Sequence, residues 1–194
     1  KDFDKVMKIV KETPEQLKTI TSLFDRLNSL ATRKRTAMVE FSLADTIQTA
    51  IDIFADEIQR KNITINMDIE SDFIFKGWRE DVLAAVANII ENAIYWVDFA
   101  KEDKVLKIAL IETDDYAEIS IWNNGPKIIR DLLENDSLFI PGISGKVIEN
   151  RTGTGLGLSI AGEAIDRNNG QIKVIEVLEG AKFIIELPKK KEEQ

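Results

Sequence analysis

The chain has 194 residues, enough for one domain with a real core or for one domain plus a helical appendage. Hydrophobic residues make up 44% and charged residues 31%, an ordinary soluble composition, and a net charge of -8 gives no general support for binding nucleic acid or an anionic membrane. With no cysteine and no histidine, these residues exclude disulfides, thiolate metal sites, thiol catalysis, and imidazole as base, metal ligand or phosphoacceptor.

Lys1 reads as mid-helix, so a piece of a longer protein is expected, with any membrane or sensor region outside it. No apolar run approaches the roughly 18 residues of a membrane span, and no signal-like segment is present. Thr13-Pro14-Glu15-Gln16 offers an N-cap, a proline at the first helical position and a capping-box glutamine. Leu17, Ile20, Phe24, Leu27 and Ala31 then recur at alternating three- and four-residue steps, with Leu23 and Leu30 widening the seam. Phe3, Val6 and Val10 precede it in the same rhythm. Such a helix either docks on its own domain or forms a dimerising stalk, and the near-heptad spacing favours a stalk over residues 1–36. Arg33-Lys34-Arg35 marks a polar boundary, after which residues 37–194 form a second unit.

From about Ser42 a helix is expected with Ile47, Ala50, Ile51, Phe54 and Ile58 on one face. Ile63, Ile65, Met67 and Ile69 alternate with polar residues as in a half-buried strand, and residues 73–75 suggest a further short one. Residues 83–97 read as a helix, 105–111 and 117–121 as strands joined through Asp114-Asp115, and 158–165 as a helix. Residues 172–177 and 183–187 form a hairpin around Glu179-Gly180. Helices and strands interleave without strict alternation. That pattern predicts an α+β fold, a two-layer sandwich with a mixed sheet covered by helices on one face.

Three constellations carry chemistry. Gly153, Gly155 and Gly157 run into the last helix, and a glycine-rich turn opening a helix lets backbone N–H groups and the helix dipole meet a phosphate, although an ordinary tight turn has the same look. On the 83–97 helix, Asn88, Glu91, Asn92 and Tyr95 line a stripe beside the core face of Leu83, Val86, Ile90, Ala93 and Val97. Asparagine carbonyls can complete a Mg²⁺ shell while their amides donate to phosphate. The third is Trp122-Asn123-Asn124-Gly125-Pro126-Lys127-Ile128, where a strand exits through a polar pair.

Together these stretches resemble one family. Asn88-Ile89-Ile90-Glu91-Asn92-Ala93 is similar to its N box, residues 122–126 to its first glycine box, Leu138-Phe139-Ile140-Pro141-Gly142 and the residues up to Lys146 to its phenylalanine box, and 153–157 to its second glycine box. In this order they resemble the ATP-binding domain shared by histidine kinases, type II topoisomerases, heat-shock chaperones and mismatch-repair ATPases, over residues 41–188. The resemblance implies ATP and Mg²⁺ as cofactors, with Asn88 and Asn92 as metal ligands. It implies nucleotide contacts from Asn92, Tyr95, Asn123, Gly125, Ile128, Gly153, Thr154, Gly155, Leu156 and Gly157. Residues 135–152 would be the lid over the nucleotide, and Asn88, Lys146 and Arg151 would assist transfer of the γ-phosphoryl group.

Hydrolysing members of the family carry a glutamate where this chain has Asn88, and asparagine there is similar to the sensor histidine kinases. That branch implies a cytoplasmic location, a homodimer through the stalk, a phosphoacceptor histidine outside these residues, and a response regulator or other downstream protein as partner, with no nucleic acid. The chain departs from the family in three places: the adenine-binding aspartate falls on Asn123, a further glycine on Lys127, and the N-box lysine on Tyr95. Asparagine can accept a hydrogen bond from adenine but also faces an acceptor such as a guanine carbonyl, so weaker ATP binding or weaker base discrimination is expected. A protein histidine kinase and a non-kinase switch driven by ATP binding or slow turnover are therefore both open.

Overall fold

In a computed structural model of the chain, the described residues are 37–69, 72–134, 137–142 and 155–189. The chain divides into two compact units, Lys1–Thr36 and Ala37–Gln194, and every described residue belongs to the second. The expected stalk lies outside the described residues.

Strand β1 (Val39–Ser42) runs directly into helix α1 (Leu43–Asp52). The Ser42 hydroxyl accepts a hydrogen bond from the Asp45 N–H at 2.9 Å, satisfying one of the donors a helix start leaves open. Leu43, Ile47, Ala50 and Ile51 are buried. The single helix expected to reach Ile58 is instead two. Phe54 donates its N–H to Ile51 at 2.9 Å in a tight turn, and the chain restarts as α2 (Ala55–Arg60), re-aimed so that Phe54 and Ile58 still pack on the core. Asn62, at φ 53°, closes α2 in the left-handed conformation asparagine tolerates.

Strand β2 (Thr64–Ile69) follows; Ile65 and Ile69 rest on the core, whereas Met67 is 40% exposed. Strand β3 (Ile74–Gly77) pairs antiparallel with β1, and Phe41 meets Phe75 edge-on with ring centroids 5.8 Å apart. The long helix α3 (Arg79–Val97) precedes the hairpin of β4 (Val105–Glu112) and β5 (Tyr116–Asn123). Then come a short α4 (Arg130–Glu134), a 3₁₀ turn (Ser137–Phe139), helix α5 (Gly157–Arg167), and the closing strands β6 (Gln171–Ile175) and β7 (Ala181–Pro188).

The main sheet has the order β2-β4-β5-β7-β6. It is mixed as expected: β2 and β4 are parallel and the other neighbours antiparallel. Its register stacks Leu106, Ile108 and Leu110 of β4 against Asn123, Ile121 and Ile119 of β5, and these against Ala181, Phe183 and Ile185 of β7. All are buried beneath the helices. Because side chains alternate along a strand, the opposite face carries Lys107, Trp122 and Lys182. There the Lys107 ammonium lies 4.9 Å from the Trp122 ring centre, and the indole N–H donates to the Glu179 carbonyl at 3.0 Å. The result is a two-layer α+β sandwich.

Two polar contacts set α3 against α5. Arg167, at the end of α5, pairs with buried Asp81 in the first turn of α3 at 2.8 Å. Asn168, also buried, accepts from the Trp78 N–H and donates to the Ala164 carbonyl, each at 2.9 Å.

The other end of α3 is closed by Asp98, a carboxylate at the negative pole of a helix. Burial works against its charge, but Lys61 at 2.6 Å and Lys104 at 2.9 Å outweigh burial and hold its carboxyl below the ordinary value of 3.8. A lowered folded-state pKa gives stability that is complete above about pH 3.8 and is lost as pH falls through the lowered value. Asp98→Asn is therefore expected to be less stable than the unsubstituted chain near neutrality and to lose less on acidification below that point. Denaturant unfolding measured across the acid range reads the two slopes, and equal slopes would contradict this account of Asp98.

Candidate functional site

Asn88, Glu91, Asn92 and Tyr95 are half-buried along one edge of α3, beside a face whose Val86, Ile89, Ile90, Ala93 and Val97 are buried. The Asn88 amide donates to the Ala84 carbonyl one turn back at 2.7 Å, which fixes the side chain and leaves its carbonyl oxygen as the atom offered outward. The Asn92 side chain has no hydrogen-bond partner among the described residues.

Helix α5 packs along α3, and the Asp81–Arg167 pair joins the start of one to the end of the other, so the two run antiparallel. Ten residues separate Gly157 from Arg167, a rise of about 15 Å, and the same rise from Asp81 along α3 arrives at Glu91. The N-terminus of α5 is thus level with Glu91 and Asn92. No side chain caps it and no acidic residue occupies its first turn. Leu156 offers its carbonyl to Ile160 and to the Ser159 hydroxyl, both at 2.9 Å. The first N–H groups of α5 and the positive pole of its dipole therefore face the asparagine edge of α3, an arrangement suited to an anion. Gly155 lies just before it at φ 66°, and its carbonyl accepts from the Gly142 N–H at 3.1 Å, which ties together the two ends of segment 143–154. Phe139 stands against Gly162 of α5, whose Cβ position is 3.6 Å from the ring.

The third component sits one turn further along α3. Asn123 ends β5 on the helix-facing side of the sheet and is only 1% exposed. Its amide nitrogen is buried without a hydrogen-bond partner, the sole side-chain atom in that condition among the described residues. Neighbouring Asn124 is fully used instead: its carbonyl accepts from Val105 N–H at 2.9 Å and its amide donates to the Asp103 carbonyl at 2.6 Å, stitching β5 to the start of β4. The sequence pair thus splits into one structural and one uncommitted residue. Gly125 lies against both the end of α3 and Asn123. A Cβ there would press on the Trp96 carbonyl oxygen and stand 2.7 Å from its carbon and 2.8 Å from the Asn123 amide nitrogen. Gly180, at φ 75°, backs onto the Asn123 carbonyl from the other side.

Of the residues singled out from the sequence, Asn88, Asn92, Tyr95, Asn123, Gly125, Gly155, Leu156 and Gly157 therefore lie along α3 and at the two segment ends that abut it. Ile128 packs half-buried on the core. Lys146, Arg151, Gly153 and Thr154 lie outside the described residues. Sequence reasoning missed Trp96, whose backbone meets Gly125. It also missed the aromatic group Tyr95, Trp96 and Phe99, with ring centroids 5.1 to 5.9 Å apart. Their one-turn spacing on a single helix was the available signal. A separate cavity of about 360 Å³ lies between α4, the 3₁₀ turn and β6, lined by Arg130, Leu133, Leu138, Phe139, Lys173 and Glu176.

Among the described residues no cluster of three or more carboxylate, histidine or cysteine side chains forms a metal cage. A cation here would rest on asparagine oxygens and on oxygens of its own ligand, the habit of Mg²⁺ with phosphates. The uncommitted Asn123 amide and the void that Gly125 leaves beneath Trp96 are likewise features a bound base would complete.

The layered sheet, with its helices on one side, defines the class. Residues 79–191 match the family described as histidine kinase-, DNA gyrase B- and HSP90-like ATPases, and the chain belongs to that family. It is 29% identical over 150 residues to the adaptive-response sensory kinase SasA of Synechocystis, an alignment covering 76% of this chain and 38% of that protein. The chain therefore spans well under half the length of that relative. The catalytic domain of histidine kinase ThkA is similar with a TM-score of 0.69 and 29% identity, covering 79% of this chain and 99% of that one. ThkA in complex with the response regulator protein TrrA gives a TM-score of 0.71 and 26% identity over 96% of this chain and 51% of that one.

Proposed function

We propose that the chain is the catalytic part of a sensor histidine kinase, which binds Mg-ATP and transfers the γ-phosphoryl group to a histidine outside its own residues. The observation that carries this reading is the uncapped N-terminus of α5 held level with Asn92, a ready anion site beside two amide oxygens. Asn88 and Asn92 would hold Mg²⁺, which supplies charge neutralisation of the phosphates. The backbone at Gly153, Thr154, Gly155, Leu156 and Gly157 would cradle the phosphates, and Tyr95, Asn123, Gly125 and Ile128 would receive the rest of the nucleotide. Lys146 and Arg151 would add positive charge around the transferring group. The acceptor histidine lies elsewhere because this chain has none. The ThkA complex supports a response regulator as the onward partner. Residues 1–36 would serve as a dimerising stalk on the cytoplasmic side of a sensor, joined to a catalytic domain at 37–194. Among the described residues no helix is long and apolar enough to cross a membrane.

Asn88 replaces the water-activating glutamate of hydrolysing members, so the chain should hold Mg-ATP without consuming it. Phosphate release from Mg-ATP is expected to run far below about 1 per second, the low end of ordinary enzyme turnover. Release at or above that rate would contradict the kinase reading. It would favour the second reading, an ATP-driven switch of a partner or dimer interface, to which the substitutions at Asn123 and Tyr95 already lend support.

A further inference from the structure

We propose that Asn123 makes this a site for two purines, accepting 6-oxopurine nucleotides as well as adenine nucleotides. The inference rests on the nucleotide reading above and names the base that the site takes. A buried amide N–H without a partner is destabilising by roughly 1–3 kcal/mol, and here nothing in the surrounding fold satisfies it. The position is not crowded: Gly125 withholds a side chain on one side, and Asn123 lies under the last turn of α3, where Tyr95, Trp96 and Phe99 gather their rings. A flat heteroaromatic ligand with a hydrogen-bond acceptor on its edge completes this arrangement.

The choice of edge follows from the donor inventory. An aspartate at this position presents acceptors only; it attracts the 6-amino group of adenine and repels the 6-carbonyl of guanine. Asparagine presents one donor and one acceptor, and rotating its amide by half a turn exchanges them. Against adenine, the amide oxygen accepts from the 6-amino group and the N–H donates to N1. Against guanine or hypoxanthine, the N–H donates to O6 and the oxygen accepts from N1–H. Both pairings satisfy the donor that the fold leaves open, and neither meets a buried charge. The carboxylate that would reject a 6-oxopurine is absent, so base discrimination is lost.

The test is calorimetric titration of the 194-residue chain, in Mg²⁺, with non-hydrolysable analogues of ATP, GTP and ITP, repeated with Asn123→Asp. The GTP and ITP analogues are expected to bind within about tenfold of the ATP analogue. In Asn123→Asp both should weaken by at least about tenfold while the ATP analogue is retained. A preference for the ATP analogue of more than about a hundredfold in the unsubstituted chain overturns the inference but leaves the nucleotide site standing. Absence of binding by every nucleotide overturns both. The ITP arm needs no variant: inosine shares the 6-carbonyl and N1–H of guanine but lacks its 2-amino group, so tight GTP with weak ITP would assign recognition elsewhere and overturn the role of Asn123.

Discussion

Asn92→Ala is expected to weaken Mg²⁺-dependent nucleotide binding by about a hundredfold or more while leaving the fold intact. Asn92 lies in the middle of α3, half-buried, with no side-chain hydrogen bond among the described residues, so truncation breaks nothing inside the protein. Alanine is also the better helix former, which offsets the small loss of packing. The melting temperature should stay within about 2 °C. What is removed is an amide level with the uncapped start of α5, where both a cation and the phosphates it accompanies would meet the protein. Calorimetry with and without Mg²⁺, beside a thermal melt, separates these effects. Undiminished binding would take Asn92 out of the site.

Gly125→Ala should damage both binding and stability. The added Cβ meets the Trp96 carbonyl and the Asn123 amide, both fixed in the interior between the end of α3 and the end of β5. Neither is the free end of a flexible side chain, so backbone must move, at a cost of about 1–3 kcal/mol. For a domain of this size that lowers the melting temperature by roughly 2 to 12 °C. Because the displaced groups are Trp96 and Asn123, nucleotide affinity should fall by more than the stability loss alone would explain. A variant with unchanged melting and unchanged affinity would show that the approach of Gly125 to α3 is looser than described.

What the sequence disclosed depended on whether its signal was local. The alternation through Ile63, Ile65, Met67 and Ile69, and that of the β4–β5 hairpin, marked strands because each strand buries one side. The asparagine stripe and the glycine turn were legible because each lies within one or two turns of chain. The break between α1 and α2 was not, since Phe54 and Ile58 keep helical spacing across a turn that re-aims them onto the same core. Strand β1 was missed because its four residues are defined by pairing with β3, remote in sequence. The antiparallel setting of α3 and α5 depends on Asp81 with Arg167 and Trp78 with Asn168, contacts spanning 86 and 90 positions that no periodicity encodes. Nor did the sequence distinguish Asn123 from Asn124. Only the register of β5 against β4 commits Asn124 to the backbone and leaves the Asn123 amide open.

The central claim is that the edge of α3, the start of α5 and the exit of β5 form one Mg-nucleotide site. A crystal structure of the chain with Mg²⁺ and a non-hydrolysable ATP analogue tests it most directly. The account predicts the metal on the carbonyl oxygens of Asn88 and Asn92, the phosphates at the first N–H groups of α5, and the base against Asn123 beneath Trp96. A nucleotide seated instead in the cavity between α4 and β6, or held without either asparagine, would contradict it.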